Sequence, residues 1–242
     1  MWVTRRPPGP EQLWLVRHGE SQGNVADARA HELGVERLDL DVRDPDVPLS
    51  TTGERQADAL GRHLAGLPER PTAVLASPYT RAADTARRAA APLDLPVRFD
   101  ERLRERDFGA FDGMTAHGIR ERYPEEAERR QLLGKFWYRP PGGESWADVA
   151  LRVRSVLATE ALRHDGERLL VVSHQAVVMV LRYVLEELGE QELLEVDRRE
   201  QVANASLTRY RAAGAGWELQ EFNAVEHLAD VAVTEEPDVA HP

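Results

Sequence analysis

The stretch "LWLVRHGESQGN", Leu13 to Asn24, decides how the chain folds. Leu13 to Val16 is a short apolar run without a polar face, the pattern of a strand buried on both sides of a parallel sheet. Open sheets of this kind carry their functional residues beyond the carboxyl ends of the strands, where loops and helix N-termini expose backbone N–H groups. Arg17, His18 and Gly19 stand at that edge. An arginine there can hold phosphoryl oxygens with its planar fork, a histidine can act as base or nucleophile, and a glycine lets backbone approach closely. A hydrogen-bonded structural histidine is the alternative reading of this stretch taken alone.

Two further strand ends have the same form. "LLVVSHQ" runs from strand-like Leu169–Val172 to Ser173, His174 and Gln175 at a helix start, and "AVLASPYTRA" leads from Ala73–Leu75 to Arg81 in the first turn of a helix. Strands alternate with helical patterns, which predicts an α/β fold with a mostly parallel sheet flanked by helices. The helices are expected from about Thr52 to Leu64, over "SPYTRAADTARRAA" with Pro78 in its first turn, from Trp146 towards Gly166, and over "QAVVMVLRYVLEEL" as a cover for the sheet. "ASLTRYRAAGAGWELQEFN" reads as a β-hairpin, and the acidic tail from Asp230 as disordered.

Composition narrows the functions. The chain has 242 residues, 42% of them hydrophobic, with no break in composition and no repeat, so one domain over 1–242 is expected, its core at about 11–228 between short tails. A net charge of -11 argues against general nucleic-acid binding and makes any phosphate recognition local. No apolar run approaches the roughly 20 residues of a membrane-spanning helix. The opening "MWVTRRPPGP" does not resemble a secretory signal, so a cytoplasmic protein is expected. Cysteine is absent, which removes disulfides and thiolate metal sites, and neither His18 nor His174 has a second ligand at metal spacing. No metal or other cofactor is expected.

Taken in order, these motifs resemble the histidine phosphatase superfamily, which includes phosphoglycerate mutases and fructose-2,6-bisphosphatase domains. "LVRHGESQGN" is similar to the family's nucleophile motif, "PLSTTGERQA" to its following helix start, "SPYTRAADTA" to its second arginine motif and "LRERDFGAFDG" to its acid loop. "GGESWADVALRV", "LLVVSHQAVV" and "EFNAVEHL" complete the order, so the resemblance spans roughly Leu13 to Tyr210 with the closing strand beyond. It implies a phosphoglycerate mutase-like three-layer sandwich with a mixed, mostly parallel sheet. It also implies His18 as the residue phosphorylated in turnover, Arg17, Arg81 and His174 around the phosphoryl group, Glu105 as proton donor and Asn24 as a phosphate contact. The chemistry agrees. Two arginines disfavour an imidazolium and keep His18 neutral for attack, and cationic side chains can stabilise the dispersed charge of a moving phosphoryl group without a metal. Arg104 and Arg106 would hold Glu105 ionised if they faced it, so both are expected to turn away or pair with other acids. Asp107 is the alternative acid.

The resemblance also bears on substrate. Gln175 matches the glutamine that contacts substrate in fructose-2,6-bisphosphatases, and "YPEEAERRQLLGKFWYRPPGGES" is similar to their cap, where Arg130, Lys135, Tyr138 and Arg139 would hold a second phosphate. Two departures count against a bisphosphate: the spacing differs by a residue, and Met179 stands where an arginine is expected. A solvated basic helix face is the plainer reading of those residues, and Trp137 and Trp146 read either as pocket lining or, more plainly, as core packing. The acidic segment 25–47 reads as an exposed insertion, or as a lid or subunit contact. The leading expectation is a phosphomonoesterase acting on a phosphorylated small molecule, with a phosphoprotein substrate as the variant. Phosphoglycerate mutase chemistry and a non-catalytic phosphoprotein-binding module are the alternatives, and self-association is left open.

Overall fold

The computed structural model describes residues 8–235. Six strands form one sheet, β1 (Gln12–Arg17), β2 (Ala73–Ala76), β3 (Val97–Phe99), β4 (Arg168–Ser173), β5 (Leu207–Ala213) and β6 (Gly216–Ala224), in the order β3-β2-β4-β1-β5-β6. β1, β2, β3 and β4 pair in parallel. β5 runs antiparallel to β1, and β6 closes the sheet as the outer strand of the expected hairpin. The expected α/β fold with a mixed, mostly parallel sheet is the one observed.

Alternation along β1 and β4 builds the layers. Leu13, Leu15, Leu169 and Val171 turn to one face, and Trp14, Val16, Leu170 and Val172 to the other. Both faces are covered, as continuous apolar strands require. On the second face lie α2 (Thr51–Gly66) and α3 (Thr80–Ala90), contributing Leu60, Leu64 and the alanines Ala82, Ala86 and Ala89. On the first lie α6 (Trp146–Ala161) and α7 (Gln175–Leu185), packing Val149, Val153, Val178 and Leu181. The other helices are α1 (Gln22–Leu33), α4 (Ala116–Arg122), α5 (Pro124–Trp137) and α8 (Glu190–Arg199). No helix among the described residues is long and apolar enough to cross a membrane.

Three local expectations need correction. Pro78 lies before Tyr79, the N-cap of α3, rather than inside the helix. α6 stops at Ala161, and Gly166 serves the following turn at φ +74°. The tail from Asp230 is tied down as far as it is described: Asn204 N donates to Thr234 O at 2.9 Å, and Gln56 Nε2 donates to Ala232 O and Thr234 Oγ1, both at 2.9 Å. The rest of that tail, 236–242, lies outside the described residues.

Candidate active site

β1 sits between β4 and β5, so both of its edges are paired. Backbone bonds continue past it. His18 N donates to Ser173 O at 2.9 Å, and His18 O accepts from Asn204 Nδ2 and Ala205 N, both at 3.1 Å. Gly19 N donates to Thr85 Oγ1 at 3.0 Å, and a Cβ on Gly19 would lie 2.6 Å from Gly53 O. The glycine therefore permits close approach to the start of α2. Ser21 caps α1, and Asn24 Oδ1 accepts from Ser21 N at 3.0 Å and from Asn204 Nδ2 at 3.3 Å.

The His18 ring is held at both nitrogens. Nδ1 lies 2.7 Å from Gly19 O, a carbonyl that can only accept, so Nδ1 carries the proton and Nε2 the lone pair. Arg81 Nε donates to Nε2 at 3.3 Å. Burial, then the charges of Arg81 and Arg17, hold the imidazole well below its ordinary pKa, outweighing the opposing bond to Gly19. Arg17 is 1% exposed and donates Nη1 to Val202 O at 2.5 Å.

His174, the N-cap of α7, stacks its edge against His18 with ring centroids 5.1 Å apart. Its Nε2 lies 2.8 Å from Ser77 Oγ, and its Nδ1 is buried without a hydrogen-bond partner among the described residues. Burial, then Arg81 and His18, also keep this ring well below the usual histidine pKa. His18, Asn24, Arg81, Glu105 and Gln175 line one cavity of about 460 Å3; Arg17 and His174, next in the chain to His18 and Gln175, are buried and outside that lining. Gln175 Nε2 donates to Gln201 Oε1 at 2.9 Å.

The acid loop is clamped from α6. Arg152 donates to the carbonyls of Arg102 at 2.6 Å, Arg104 at 2.8 Å and Glu105 at 3.2 Å, and pairs with Glu144 at 3.0 Å. Glu144 also takes Arg104 at 2.7 Å and Asp107 N at 3.1 Å. Arg104 thus pairs with another acid, as expected. Arg106 does not: it is buried, lines the cavity, lies 4.3 Å from the Phe108 ring centroid and has its pKa pushed down to about 10, chiefly by burial and then by Arg130. Glu105 Oε1 accepts from the backbone N of Arg106 at 2.7 Å. Asp107 lies outside the cavity lining, its Oδ1 bonded to Gly109 N at 2.7 Å.

Arg130, Lys135 and Tyr138 join Arg106 on the cavity wall. Burial lowers the proton affinity of Arg130 and, with the nearby arginines, of Lys135, which is held by Asp197 at 2.5 Å and lies 4.9 Å from the Trp146 ring centroid. Tyr138 OH donates to Glu126 Oε2 at 2.9 Å. Arg139 does not join them; it is exposed and pairs with Asp148, outside the lining. Met179 is buried in the core, Trp146 is buried there and also lines the cavity, whereas Trp137 is exposed with its indole N–H on Glu190 at 2.8 Å. Segment 25–47 is less of a free insertion than expected, because Leu38, Leu40, Val42, Asp44 and Val47 line the cavity. Asp44 and Asn204 had no signal of their own: each is a common residue type outside a recognisable motif, placed by contacts distant in sequence; Arg106 and Arg152 lie within "LRERDFGAFDG" and "GGESWADVALRV", where the sequence led to the first turning away and did not single out the second. Among the described residues no group of three or more His, Asp or Glu could hold a metal ion.

The comparisons with known proteins agree with this geometry. "Bifunctional protein Rv2228c" of Mycobacterium tuberculosis is 37% identical over 186 residues, 73% of this chain and 45% of that protein, so the chain spans less than half of this relative's length. "Probable phosphoglycerate mutase GpmB" of Salmonella paratyphi C is 33% identical over 230 residues, covering 93% of this chain and 98% of that protein. The solved structure of mycobacterial glucosyl-3-phosphoglycerate phosphatase Rv2419c with VO3 has a TM-score of 0.72 at 27% identity, covering 89% of this chain and 100% of that one. The family model matches residues 13–225, a span that holds both strand-end histidines and the acid loop, and the chain belongs to the histidine phosphatase superfamily, branch 1.

Proposed function

We propose that this chain hydrolyses phosphomonoesters through a phosphohistidine on His18, with Glu105 as acid and then base and with no metal taking part. The His18 ring carries the reading. Its proton is committed to Gly19 O at 2.7 Å, which leaves the Nε2 lone pair 3.3 Å from Arg81 Nε on a cavity wall. Burial beside two arginines keeps the ring unprotonated, the state a nucleophile needs.

In the first step the Nε2 lone pair attacks phosphorus, the bond to the leaving oxygen breaks, and Glu105, whose protonated form the negative charge of the bound phosphoryl group favours against the opposing charge of Arg106, gives that oxygen its proton. In the second, Glu105 takes a proton from water as the water attacks phosphorus; the N–P electrons return to Nε2 and inorganic phosphate leaves. Arg17, Arg81 and a His174 that directs its buried Nδ1 at a phosphoryl oxygen would carry the equatorial charge, with Asn24 as a further contact. Arg106, Arg130 and Lys135 on the same wall favour a small-molecule substrate whose leaving group bears a second anionic group, and Tyr138 and Gln175 are its polar contacts. The named activity of the mycobacterial relative, on a phosphoglycerate derivative, supports that class.

A panel of phosphorylated metabolites assayed for free phosphate tests the reading. His18→Ala is expected to abolish release, Glu105→Gln to slow it by about 10²–10⁴-fold, and rapid quench to trap acid-labile phosphate on His18. Turnover by His18→Ala, or no label at His18 during turnover, would contradict it. Mutase chemistry is the second reading, favoured by likeness to GpmB along 93% of this chain. Isomerisation of 3-phosphoglycerate with a bisphosphorylated primer, rather than phosphate release, would identify it.

A further inference from the structure

Arg81 is engaged before any substrate is considered. Its Nη1 donates to Asp44 O at 2.6 Å and pairs with Asp44 Oδ1 at 2.9 Å, and its Nη2 donates to Asp44 Oδ2 at 3.3 Å. Its Nε donates instead to His18 Nε2 at 3.3 Å. Asp44 opens a 3-10 turn, Asp44–Asp46, whose second residue is Pro45, and that turn ends the segment that walls the cavity over His18. The arginine side chain is 7% exposed and that of Asp44 37%, so the pair closes from the cavity side rather than from the core.

A carboxylate forked on a guanidinium imitates a phosphoryl group: two oxygens on two terminal nitrogens, with negative charge. A phosphate that comes to the same nitrogens meets a fixed like charge, and desolvation of the site magnifies the repulsion. Asp112, on the same cavity wall, already registers that charge, since burial and then Asp44 raise its pKa.

We propose that Asp44 is a specificity-determining residue, an internal anion that competes with the phosphoryl group for Arg81. Bare phosphate and esters with an uncharged leaving group bind weakly against it. A substrate whose leaving group carries its own anion gains a second hold on Arg106, Arg130 and Lys135, and that hold offsets the displacement of Asp44. Poor binding of inorganic phosphate also limits inhibition by product. The inference rests on the proposed phosphoryl site at His18 and Arg81 and adds the residue that filters entry to it.

The test is calorimetric binding of inorganic phosphate, at constant ionic strength, to the unaltered chain, Asp44→Asn, Asp46→Asn and Arg81→Ala. Asp46 is the control because it lies on the same turn but pairs with exposed Arg43. Asp44→Asn is expected to bind phosphate about tenfold or more tightly, Asp46→Asn to match the unaltered chain, and Arg81→Ala to bind least. In parallel, the preference in kcat/KM for a phosphorylated carboxylic acid over p-nitrophenyl phosphate is expected to shrink about tenfold in Asp44→Asn. Unchanged or weaker phosphate binding by Asp44→Asn, equal tightening by Asp46→Asn, or an unchanged preference overturns the inference. If the first of these occurs while Arg81→Ala still abolishes binding, the phosphoryl site survives and the filter alone fails; binding that ignores Arg81 altogether removes both.

Discussion

A buried histidine is useful as a nucleophile only if its reactive nitrogen and its partner acid stay in register, and Arg152 governs the second of these. Its guanidinium holds three carbonyls of acid-loop backbone, those of Arg102, Arg104 and Glu105, while Glu144 neutralises it from 3.0 Å. The two side chains are 9% and 14% exposed, so neither charge is well solvated. Removing one partner of such a pair leaves the other uncompensated and costs about 3–5 kcal/mol in fully buried cases. Arg152→Met is expected to lower stability in urea by about 3 kcal/mol. A misplaced acid also costs on the order of 100-fold in rate, so kcat should fall while inorganic phosphate binding, made by His18 and Arg81, changes little. Equal losses in both would show that Arg152 supports the whole fold rather than the acid. Nothing in "ALRVRSVL" marks Arg152 among its neighbours; the three carbonyls it binds lie 47 to 50 positions away. Glu105, by contrast, is singled out by its place in the order of motifs, and the structure puts it on the cavity lining.

At the scale of elements, the β1–α1 connection is fastened to the first turn of α2. Ser50 N donates to Glu20 O at 2.9 Å, Glu20 N donates to Gln56 Oε1 at 2.8 Å, and a Cβ on Gly53 would stand 1.9 Å from Glu20 O. That space does not exist. Gly53→Ala therefore sets a helix-propensity gain of about 1 kcal/mol against overpacking of about 1–3 kcal/mol or more with backbone on both sides. A net loss of about 2 kcal/mol in chemical denaturation is expected, with reduced kcat/KM because the displaced loop carries His18. Gly66→Ala, at the open end of the same helix, has nothing within 4 Å of the added carbon and is expected to be neutral or slightly stabilising. Equal effects at the two positions would remove the argument from close approach. The elements themselves were legible where periodicity was strong: β1, β2, β4, α2, α7 and the hairpin stand within a few residues of their expected positions, and α6 starts at Trp146 as expected but stops at Ala161, short of Gly166. β3 was not, because Val97–Phe99 is three residues at the sheet edge with a half-exposed pattern. Helix α5 is legible only as a basic helix face within the cap, without bounds; Gly134, at φ +78°, interrupts its regular geometry just before Lys135.

Across the whole molecule, the neutral histidines that suit the chemistry should make the fold sensitive to mild acid. His18 and His174 are held well below their ordinary pKa by burial first and neighbouring cations next, whereas in the unfolded chain both titrate near 6.5. Between those folded values and pH 6.5 the unfolded chain binds more protons, so stability rises with pH there and falls as pH drops. From pH 7.5 to 5.5 the cost of each ring has a ceiling of about 1.4 kcal/mol, set by its unfolded pKa near 6.5. His227, lowered chiefly by burial, adds in the same direction. The carboxylates of Asp100 and Asp148 are lowered too, but their stabilisation persists above the usual carboxylate range and is lost only as pH falls through it, so the two windows separate. Urea unfolding in phosphate-free buffer at half-unit steps from pH 7.5 to 5.5 measures the slope, since bound phosphate would stabilise the native state by mass action. The loss should shrink by about half in His174→Gln, which removes one of the two rings, and stability that stays level or increases across this range would contradict neutral, buried histidines at the end of β1 and β4.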